Sequence, residues 1–344
     1  MSRRTLTMMV GLVLLLVVCV IGVTVPVPLV AMGPGPSIDT LGQVDGKSVV
    51  SLNGRQSYPT TGHLNMTTVT VTDGLTAVNA VQFWLSSQHQ VIPRALIYPP
   101  GLTEAQVTQS NNEQFSSSEN LAQAAALKFL KEPVKVTVSE LTTDAPAGTV
   151  LKTGDRLITV NGQTVTSAGQ VREILAKTRP GDQVPITYQR GAAPPANGTV
   201  TVGLRPGSPP ERPQGFFGIV PQAEPLAPYQ INVALDDVGG PSAGLMFTLA
   251  IIDKMTPDDL TGGKFVAGTG TIDESGAVGE INGIPFKMIG AKEAGATVFL
   301  VPANNCAEAK SAVPDGMQLI KVATLTDAVN GLEALKAGKP VPGC

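Results

Sequence analysis

The stretch from residue 5 to residue 37 contains no charged side chain, and its most apolar part runs from Leu6 to Val27. As a helix, this part would be roughly 30 Å long, the thickness of the hydrocarbon core of a bilayer. Because Arg3 and Arg4 precede it, the positive-inside rule places the N-terminus in the cytoplasm and the remaining domains outside the cell membrane. We therefore predict that residues 1–37 form a short cytoplasmic stub and a single-pass transmembrane anchor.

A cleaved signal peptide is the alternative interpretation of the same segment. The apolar run is long for a signal peptide, and Val30-Ala31-Met32 lacks the small-x-small pattern of a cleavage site. Cys19 follows a valine rather than a small residue, which argues against lipoprotein processing. We therefore expect the anchor to remain uncleaved.

The composition of the whole chain is that of a globular protein with several domains. The 344 residues are 42% hydrophobic, so two or three domains with substantial cores are expected. The net charge of -3 favours neither nucleic-acid binding nor a cleft for acidic substrates. His63 and His89 stand alone, without the spacing of metal ligands, and no metal or other cofactor is expected.

Cys306 and Cys344 are the two cysteines that follow the anchor. In an oxidising compartment outside the membrane they can form a disulfide that ties the C-terminus to the domain before it. Two unpaired thiols are the alternative, and the sequence alone leaves both open.

Ser242 has the surroundings of a nucleophile. Gly239-Gly240-Pro241 predicts a tight turn before it, and residues 243–255 read as an apolar helix. Such a turn would place Ser242 at a helix N-terminus, where free N–H groups and the positive end of the helix dipole can stabilise an oxyanion. A serine at a helix start is most often only an N-cap, so its position alone does not decide its role.

A nucleophilic serine needs a proton acceptor, and the C-terminal half of the chain contains no histidine. Lys287 lies in the apolar run 284–289, where desolvation would lower the pKa of its amine toward that of a useful base. Lys292 lies in a more polar stretch. A lysine beside apolar residues usually extends its amine to water, so it is the combination with Ser242 that indicates a Ser-Lys hydrolase.

Several further motifs in the same region make it similar to the proteolytic domain of the Lon protease family. They are Val266-Ala267-Gly268-Thr269-Gly270, Gly276-Ala277-Val278, Asn282-Gly283 and residues 294–302. The resemblance implies that Ser242 is the nucleophile and Lys287 the general base. It also implies that Thr269 supports them through a hydrogen bond near the dyad.

Two features depart from the Lon pattern. Gly239 stands where Lon enzymes typically carry an aspartate, so any orienting role of that acid is missing or passes to Asp236 or Asp237. No G-x-x-x-x-G-K-[ST] motif occurs, since Gly262-Gly263-Lys264-Phe265 has neither the glycine spacing nor the hydroxyl. We therefore predict a Lon-like peptidase that binds no ATP. The resemblance implies a homo-oligomer, although the motor that helps to hold Lon rings together is absent.

Residues 132–206 contain the pattern of a second module. Residues 157–160 read as a short strand, Asn161-Gly162 as a positive-φ turn, and Ser167 as the cap of a helix. The pattern resembles a PDZ domain of the bacterial protease type. It is carried by Ala145-Pro146-Ala147-Gly148, Leu151-Lys152-Thr153-Gly154-Asp155-Arg156-Leu157, Ile158-Thr159-Val160-Asn161-Gly162 and Pro180-Gly181-Asp182.

By this resemblance, a peptide would add as a strand between residues 134–140 and the helix that follows Ser167. The residues expected to contact it are Val136, Val138, Val171 and Leu175. No carboxylate-binding loop of the Gly-Leu-Gly-Phe type is evident before Val134, so recognition of a free C-terminus is left open. Docking of the groove against the chain's own protease domain is the alternative.

The predicted fold class is α+β, with a mixed α/β protease domain. Residues 38–131 form an N-terminal α/β region, and residues 207–344 form the Lon-type proteolytic domain. The end of the first region faintly resembles the first helix of the Lon domain, so the PDZ domain either precedes the protease domain or is inserted within it. The predicted strands lie near 48–52, 64–71 and 91–97, and the predicted helices over 75–85 and 119–130.

Together these features predict a membrane-anchored, ATP-independent serine endopeptidase. Its substrates are expected to be extracytoplasmic proteins or peptides, with the PDZ domain recognising substrates or partners, and no nucleic acid is expected. The main alternative is a membrane-tethered PDZ scaffold whose Lon-like domain is catalytically silent. A protein that cuts itself once is a third interpretation.

Overall fold

The computed structural model describes residues 3–206, 213–235 and 238–344. These residues form eight α-helices and twenty strands. The helices are α1 (Arg3–Thr24), α2 (Ala77–Trp84), α3 (Glu104–Phe129), α4 (Ala168–Ala176), α5 (Gly244–Met255), α6 (Ile284–Glu293), α7 (Cys306–Lys310) and α8 (Leu325–Lys336).

The strands belong to two large sheets and several short pairs. In chain order they are β1 (Leu29–Asp39), β2 (Gln43–Val44), β3 (Lys47–Ser48), β4 (Val50–Asn53), β5 (His63–Thr72), β6 (Gln90–Pro93), β7 (Val134–Leu141), β8 (Arg156–Val160), β9 (Gln163–Thr164), β10 (Gln183–Gln189), β11 (Ala196–Thr201), β12 (Gly203–Leu204), β13 (Gly215–Phe216), β14 (Ile219–Pro225), β15 (Gln230–Val233), β16 (Phe265–Gly268), β17 (Thr271–Ile272), β18 (Val278–Gly279), β19 (Val298–Pro302) and β20 (Gln318–Val322).

Helix α1 is long and apolar enough to cross a membrane, judged by length and composition. Its 22 residues include a window of mean hydropathy 3.0, and none of them is buried against the rest of the chain. The helix ends at Thr24, and β1 begins at Leu29, within the segment 1–37 that the sequence assigned to the anchor. The difference arises because β1 begins with apolar residues and carries no charge before Asp39, so it resembles a continuation of the apolar helix.

The larger domain is built around a six-stranded mixed sheet in the order β20-β19-β16-β5-β1-β6. β5, β16, β19 and β20 run parallel to one another, whereas β1 pairs antiparallel with β5 and β6. Three of these strands precede residue 134 and three follow residue 225. The α/β domain is therefore assembled from both ends of the chain, with another domain between its two parts.

The inserted domain is built around a second six-stranded sheet, in the order β11-β10-β8-β7-β14 with β9 paired to β8. β14 pairs along the whole of β7, from Ile219 opposite Leu141 to Pro225 opposite Val134. The sheet therefore extends past residue 206, where the sequence placed the end of the module. The proline-rich segment after Leu204 resembles an interdomain linker. For this reason, the return of the chain into the sheet could not be recognised from the sequence.

Helix α3 is longer than the predicted helix over 119–130. It begins at Glu104 after Thr103, whose side chain forms a capping box with Gln106. Most of its first half is polar and exposed, so it lacks the apolar periodicity by which a helix is recognised in a sequence. The second half is apolar and packs into the core of the α/β domain.

Helix α5 lies at the centre of that core, and all of its residues from Gly244 to Met255 are buried. Helix α3 packs against it, with the rings of Phe115 and Phe247 5.7 Å apart and close to perpendicular. A helix that is surrounded by packed side chains has a fixed position. Its first turn is therefore a rigid support for the residues that precede it.

Cys306 and Cys344 form a disulfide, with their Cα atoms 5.3 Å apart. The bond ties the C-terminal residue to the start of α7. The structure thus contains the bridge, where the sequence left the choice between a bridge and two free thiols open.

Candidate active site

Ser242 lies in the turn that precedes α5. Gly240 has φ of 85°, in the left-handed region that favours glycine, and this conformation directs the chain into the helix. Ser242 is half-buried, and Gly244 begins the helix two residues later. The backbone N–H groups of Ser242 and Ala243 donate to no acceptor in the described part of the chain. They are therefore free to bind a developing negative charge.

Helix α3 holds this turn from one side. The N–H of Gly240 donates to the carbonyl of Asn111 at 2.9 Å, and the hydroxyl of Ser118 donates to the carbonyl of Pro241 at 3.0 Å. A side chain on Gly244 would bring its Cβ within 2.8 Å of the Ser118 hydroxyl and 2.9 Å of Ile272. Glycine at this position therefore allows α3 to approach the turn closely.

Lys287 lies in the first turn of α6 and is only 3% exposed. Its Nζ is 2.7 Å from Ser242 Oγ, 3.0 Å from the carbonyl oxygen of Thr67 and 3.1 Å from Thr269 Oγ1. Burial lowers the pKa of the Lys287 amine to about 8, because desolvation penalises the charged form. A substantial fraction of the amine is therefore neutral near physiological pH.

The hydrogen bonds around Lys287 determine the direction of proton transfer. Thr269 Oγ1 donates its proton to the carbonyl of Ser242 at 3.0 Å, so it can only accept from Lys287. The carbonyl of Thr67 is an acceptor as well. A neutral amine has two N–H donors and one lone pair. The two donors are used by these acceptors, which leaves the lone pair for the Ser242 hydroxyl proton.

The segment after β16 completes the support of Ser242. The N–H of Gly270 donates to the Ser242 carbonyl at 2.9 Å, and the N–H of Leu245 donates to the Gly270 carbonyl at 3.1 Å. Together with Thr269, these bonds fasten the backbone of Ser242 to the end of the central sheet. The structure thus brings together all three residues for which the sequence predicted catalytic roles.

An open sheet edge borders the dyad. β16 ends at Gly268, opposite Met66, whereas β5 continues to Thr72 and there pairs only with β1 in the described part of the chain. A cavity of about 300 Å³ lies at this edge and is lined by residues 66–70 of β5 together with Ser242 and Lys287. An extended segment of another chain could pair with β5 in this place.

The Thr67 carbonyl is the part of the site that sequence reasoning missed. Every residue has a carbonyl, so nothing in the residue type marks this one as a partner of Lys287. Its position follows from the pairing of β5 with β16, which only the fold defines. Asp236 and Asp237, the sequence candidates for an orienting acid, lie outside the described residues.

The two histidines have ordinary partners. His63 Nδ1 is 2.8 Å from a carboxylate oxygen of Asp39, and His89 Nδ1 is 3.0 Å from the hydroxyl of Ser86. Within the described residues, no group of three or more histidine, cysteine, aspartate or glutamate side chains is arranged to hold a metal ion.

The predicted peptide position beside β7 needs correction. β7 has β8 on one side and β14 on the other, so it offers no edge to a peptide along residues 134–140. Val136, Val138 and Val171 are fully buried and Leu175 is nearly so, because all four form the core of the inserted domain. The open edge belongs to β14, which has β7 as its one strand neighbour among the described residues.

A groove lies between this open edge and α4. Gly215-Phe216-Phe217-Gly218 directly precedes β14, and this Gly-x-x-Gly pattern is the signal that would have located the groove from the sequence. A cavity of about 1080 Å³ extends from β14 and α4 to the polar face of α3. The groove of the inserted domain therefore opens toward the helix that holds the Ser242 turn.

Two parts of the chain each match a known family. Residues 236–334 match the model described as the Lon protease (S16) C-terminal proteolytic domain, and residues 106–200 match the model of a PDZ domain. Among solved structures, the PDZ domain of an SdrC-like protein from Listeria monocytogenes is 22% identical, covering 25% of this chain and 85% of that one, with a TM-score of 0.22.

The PDZ domain of the SdrC-like protein from Listeria innocua is 21% identical, covering 25% of this chain and 92% of that one, with a TM-score of 0.23. The chain therefore combines a part that matches the Lon-type S16 proteolytic domain with a part that matches a PDZ domain, a combination consistent with a PDZ-containing Lon-like protease.

Proposed function

We propose that the chain is a membrane-anchored serine endopeptidase that hydrolyses peptide bonds with a Ser-Lys dyad. Ser242 is the nucleophile, Lys287 the general base and Thr269 the residue that orients the lysine. The observation that carries the proposal is the 2.7 Å distance between Lys287 Nζ and Ser242 Oγ, at an amine that is buried. Such an amine has the proton affinity that a general base needs near neutral pH.

The reaction proceeds through an acyl-enzyme. Ser242 Oγ attacks the substrate carbonyl carbon while its proton passes to the lone pair of Lys287. The carbonyl oxygen becomes an oxyanion, which the N–H groups of Ser242 and Ala243 bind. The ammonium of Lys287 then protonates the leaving amine as the C–N bond breaks. In the second half, water attacks the ester carbonyl carbon while its proton passes to Lys287. The ammonium of Lys287 then returns a proton to Ser242 Oγ as the ester bond breaks.

The substrate is a segment in extended conformation. We place its backbone along the open edge of β5 at residues 67–72, where main-chain hydrogen bonds align the scissile bond with Ser242 independently of sequence. The chain contains no P-loop motif, so the enzyme acts without an ATP-driven unfolding motor. Its substrates are therefore unfolded segments and exposed tails of proteins.

The other parts of the chain determine where and on what the enzyme acts. Helix α1 anchors it in the cell membrane with Arg3 and Arg4 in the cytoplasm, and the two domains lie on the outer side. A peptide of a substrate or partner adds to the open edge of β14, facing α4. The loop Gly215-Phe216-Phe217-Gly218 directly precedes β14, and we propose that it binds the carboxylate at the end of this peptide.

A serine-reactive fluorophosphonate probe tests the dyad on the full chain in membranes. Wild type should be labelled and should cleave an unstructured protein, whereas Ser242→Ala and Lys287→Ala should do neither. Ser275→Ala is the matched control, because Ser275 is exposed and bonded to Asp273 rather than to the dyad. An unlabelled, inactive wild type would favour the tethered scaffold. A shortened chain in wild type but not in Ser242→Ala would favour single self-cleavage.

A further inference from the structure

A third cavity, of about 520 Å³, lies beside the Ser242 turn. One of its walls is formed by α3 and the other by the chain that leads into the turn. The residues that matter here are Asn112, Ser116 and Glu119 on α3 and Leu235, Val238 and Gly239 opposite. Val238 and Gly239 also line the cavity that contains Ser242 and Lys287. This cavity and the cavity of Ser242 and Lys287 therefore share two lining residues and are neighbours.

Glu119 is the one ionisable side chain among the described residues that line this cavity. It is partly buried, and no hydrogen bond or ion pair to the described residues compensates its carboxyl group. Desolvation raises the pKa of Glu119 to about 7. A buried carboxyl without a partner is destabilising in the free enzyme, and a bound cation would remove that cost.

The position of Glu119 connects it to the reaction. Its chain neighbour Ser118 donates a hydrogen bond to the carbonyl of Pro241, the residue before the nucleophile. On the same helix, the carbonyl of Asn111, eight residues before Glu119, accepts a hydrogen bond from the N–H of Gly240. The stretch of α3 from 111 to 119 therefore runs along the turn that presents Ser242. A peptide bound in the cavity of Ser242 and Lys287 would border this cavity, since Val238 and Gly239 line both.

We propose that Glu119 is a specificity-determining residue and that the cavity receives a basic side chain, lysine or arginine, flanking the scissile bond of the substrate. The proposal rests on the proteolytic function proposed above. The carboxylate binds the cationic end of the side chain, and the polar groups of Asn112 and Ser116 accept its remaining N–H donors.

The inference is tested with peptides that differ only in lysine, glutamine or glutamate at each position flanking one cleaved bond. Wild type should cleave the best lysine peptide about tenfold to a hundredfold faster, in kcat/KM, than its glutamine counterpart, because a charge-assisted hydrogen bond is gained. Glu119→Gln should cleave both at the rate that wild type shows with glutamine. Glu119→Lys should prefer the glutamate peptide.

Glu113→Gln is the matched control, since Glu113 is exposed on the same helix and does not line this cavity. It should keep the wild-type preference. Equal rates of wild type on lysine and glutamine peptides, or an unchanged lysine preference in Glu119→Gln, would overturn the inference. Labelling by the serine-reactive probe separates the two proposals. A labelled enzyme without lysine preference refutes only the basic-side-chain pocket, and an unlabelled wild type refutes the proteolytic function itself.

Discussion

Two lysines are buried in the α/β domain, and their surroundings differ in one respect. Lys254, in the last turn of α5, is 9% exposed, and Lys287, in the first turn of α6, is 3% exposed. Burial lowers the pKa of both amines. The carboxylates of Asp253 and Asp39 oppose this effect at Lys254, whereas no carboxylate among the described residues does so at Lys287.

The hydrogen-bond partners of the two amines also differ, since those of Lys254 suit a charged amine and those of Lys287 suit a neutral one. Lys254 Nζ donates to the carbonyl of Leu41, a contact that suits an ammonium and fastens α5 to a loop. Lys287 contacts two hydroxyls and one carbonyl, an arrangement in which a neutral amine is fully satisfied. Burial alone therefore does not identify a catalytic lysine. Burial without a counter-charge, together with a hydroxyl at its lone pair, is the informative combination.

The largest effect should follow from removing the base. We expect Lys287→Met to lower kcat/KM by about 10⁴-fold, in the range found when one member of a nucleophile-base unit is deleted. Lys287→Arg should be equally inactive, since a guanidinium does not deprotonate in proteins. Hydrolysis of a fluorogenic peptide measures both variants. Activity within about tenfold of wild type in either one would show that another group takes the Ser242 proton.

The free energy of unfolding of wild type, compared with that of Lys287→Met, should show the cost of burying the amine. The Lys287 pKa is about 8 when folded and is ordinary, near 10.5, when unfolded. The unfolded chain therefore binds more protons between these values, and stability rises with pH there. Relative to Lys287→Met, wild type should gain about 3 kcal/mol in free energy of unfolding from pH 8 to 10.5. Urea unfolding at several pH values measures the difference, and a flat difference would contradict it.

The pH profile of wild type provides an independent reading of the same amine. Only the neutral form can accept the Ser242 proton, so kcat/KM should fall about tenfold per unit below pH 8 and level off above it. Between pH 6 and pH 8 the rise should be roughly fiftyfold, because half of the amine is neutral at a pH equal to its pKa. A plateau that already begins near pH 6 would indicate a base of lower pKa than Lys287. The substrate in this measurement should carry no ionisable side chain.

Thr269 distinguishes the two lysines further, because no hydroxyl of the described residues bonds to the amine of Lys254. Thr269→Val keeps the shape but removes the acceptor for Lys287 and the donor to the Ser242 carbonyl. We expect a loss of about tenfold to a hundredfold in kcat, whereas Thr269→Ser should retain most activity. If the valine variant were as active as the serine variant, the hydroxyl would have only a packing role.

Some features of the candidate site could be predicted from the sequence, and others could not. The pairing of Ser242 with Lys287 could be predicted because it depends on side-chain types, and a serine and a lysine in a half without histidine are visible in the sequence. The carbonyl of Thr67 could not be predicted, since its role depends on the register of β5 against β16. The same holds for the hydrogen bond from Ser118 to Pro241, which joins residues far apart in the chain.

The helices and strands likewise include some that could be predicted from the sequence and some that could not. Elements with clear periodicity or caps, such as α4 after Ser167, lie where the sequence predicted them. The first half of α3 is polar and was not recognised, and β1 resembled the end of the anchor. β14 lies beyond a proline-rich segment and joins a sheet that the sequence appeared to have completed. In each case a tertiary contact, rather than local propensity, defines the element.

The smallest effect is expected at the second lysine, and it is the control for the whole comparison. Lys254→Met removes the donor to the Leu41 carbonyl and the charge that compensates Asp253. We expect a loss of about 1–2 kcal/mol in free energy of unfolding, with kcat/KM unchanged within about twofold, because a buried acceptor is left without its partner. Urea unfolding and the fluorogenic assay measure the two quantities. A collapse of activity in this stable variant would mean that a buried lysine is essential regardless of its counter-charge, and the distinction drawn between the two amines would fail.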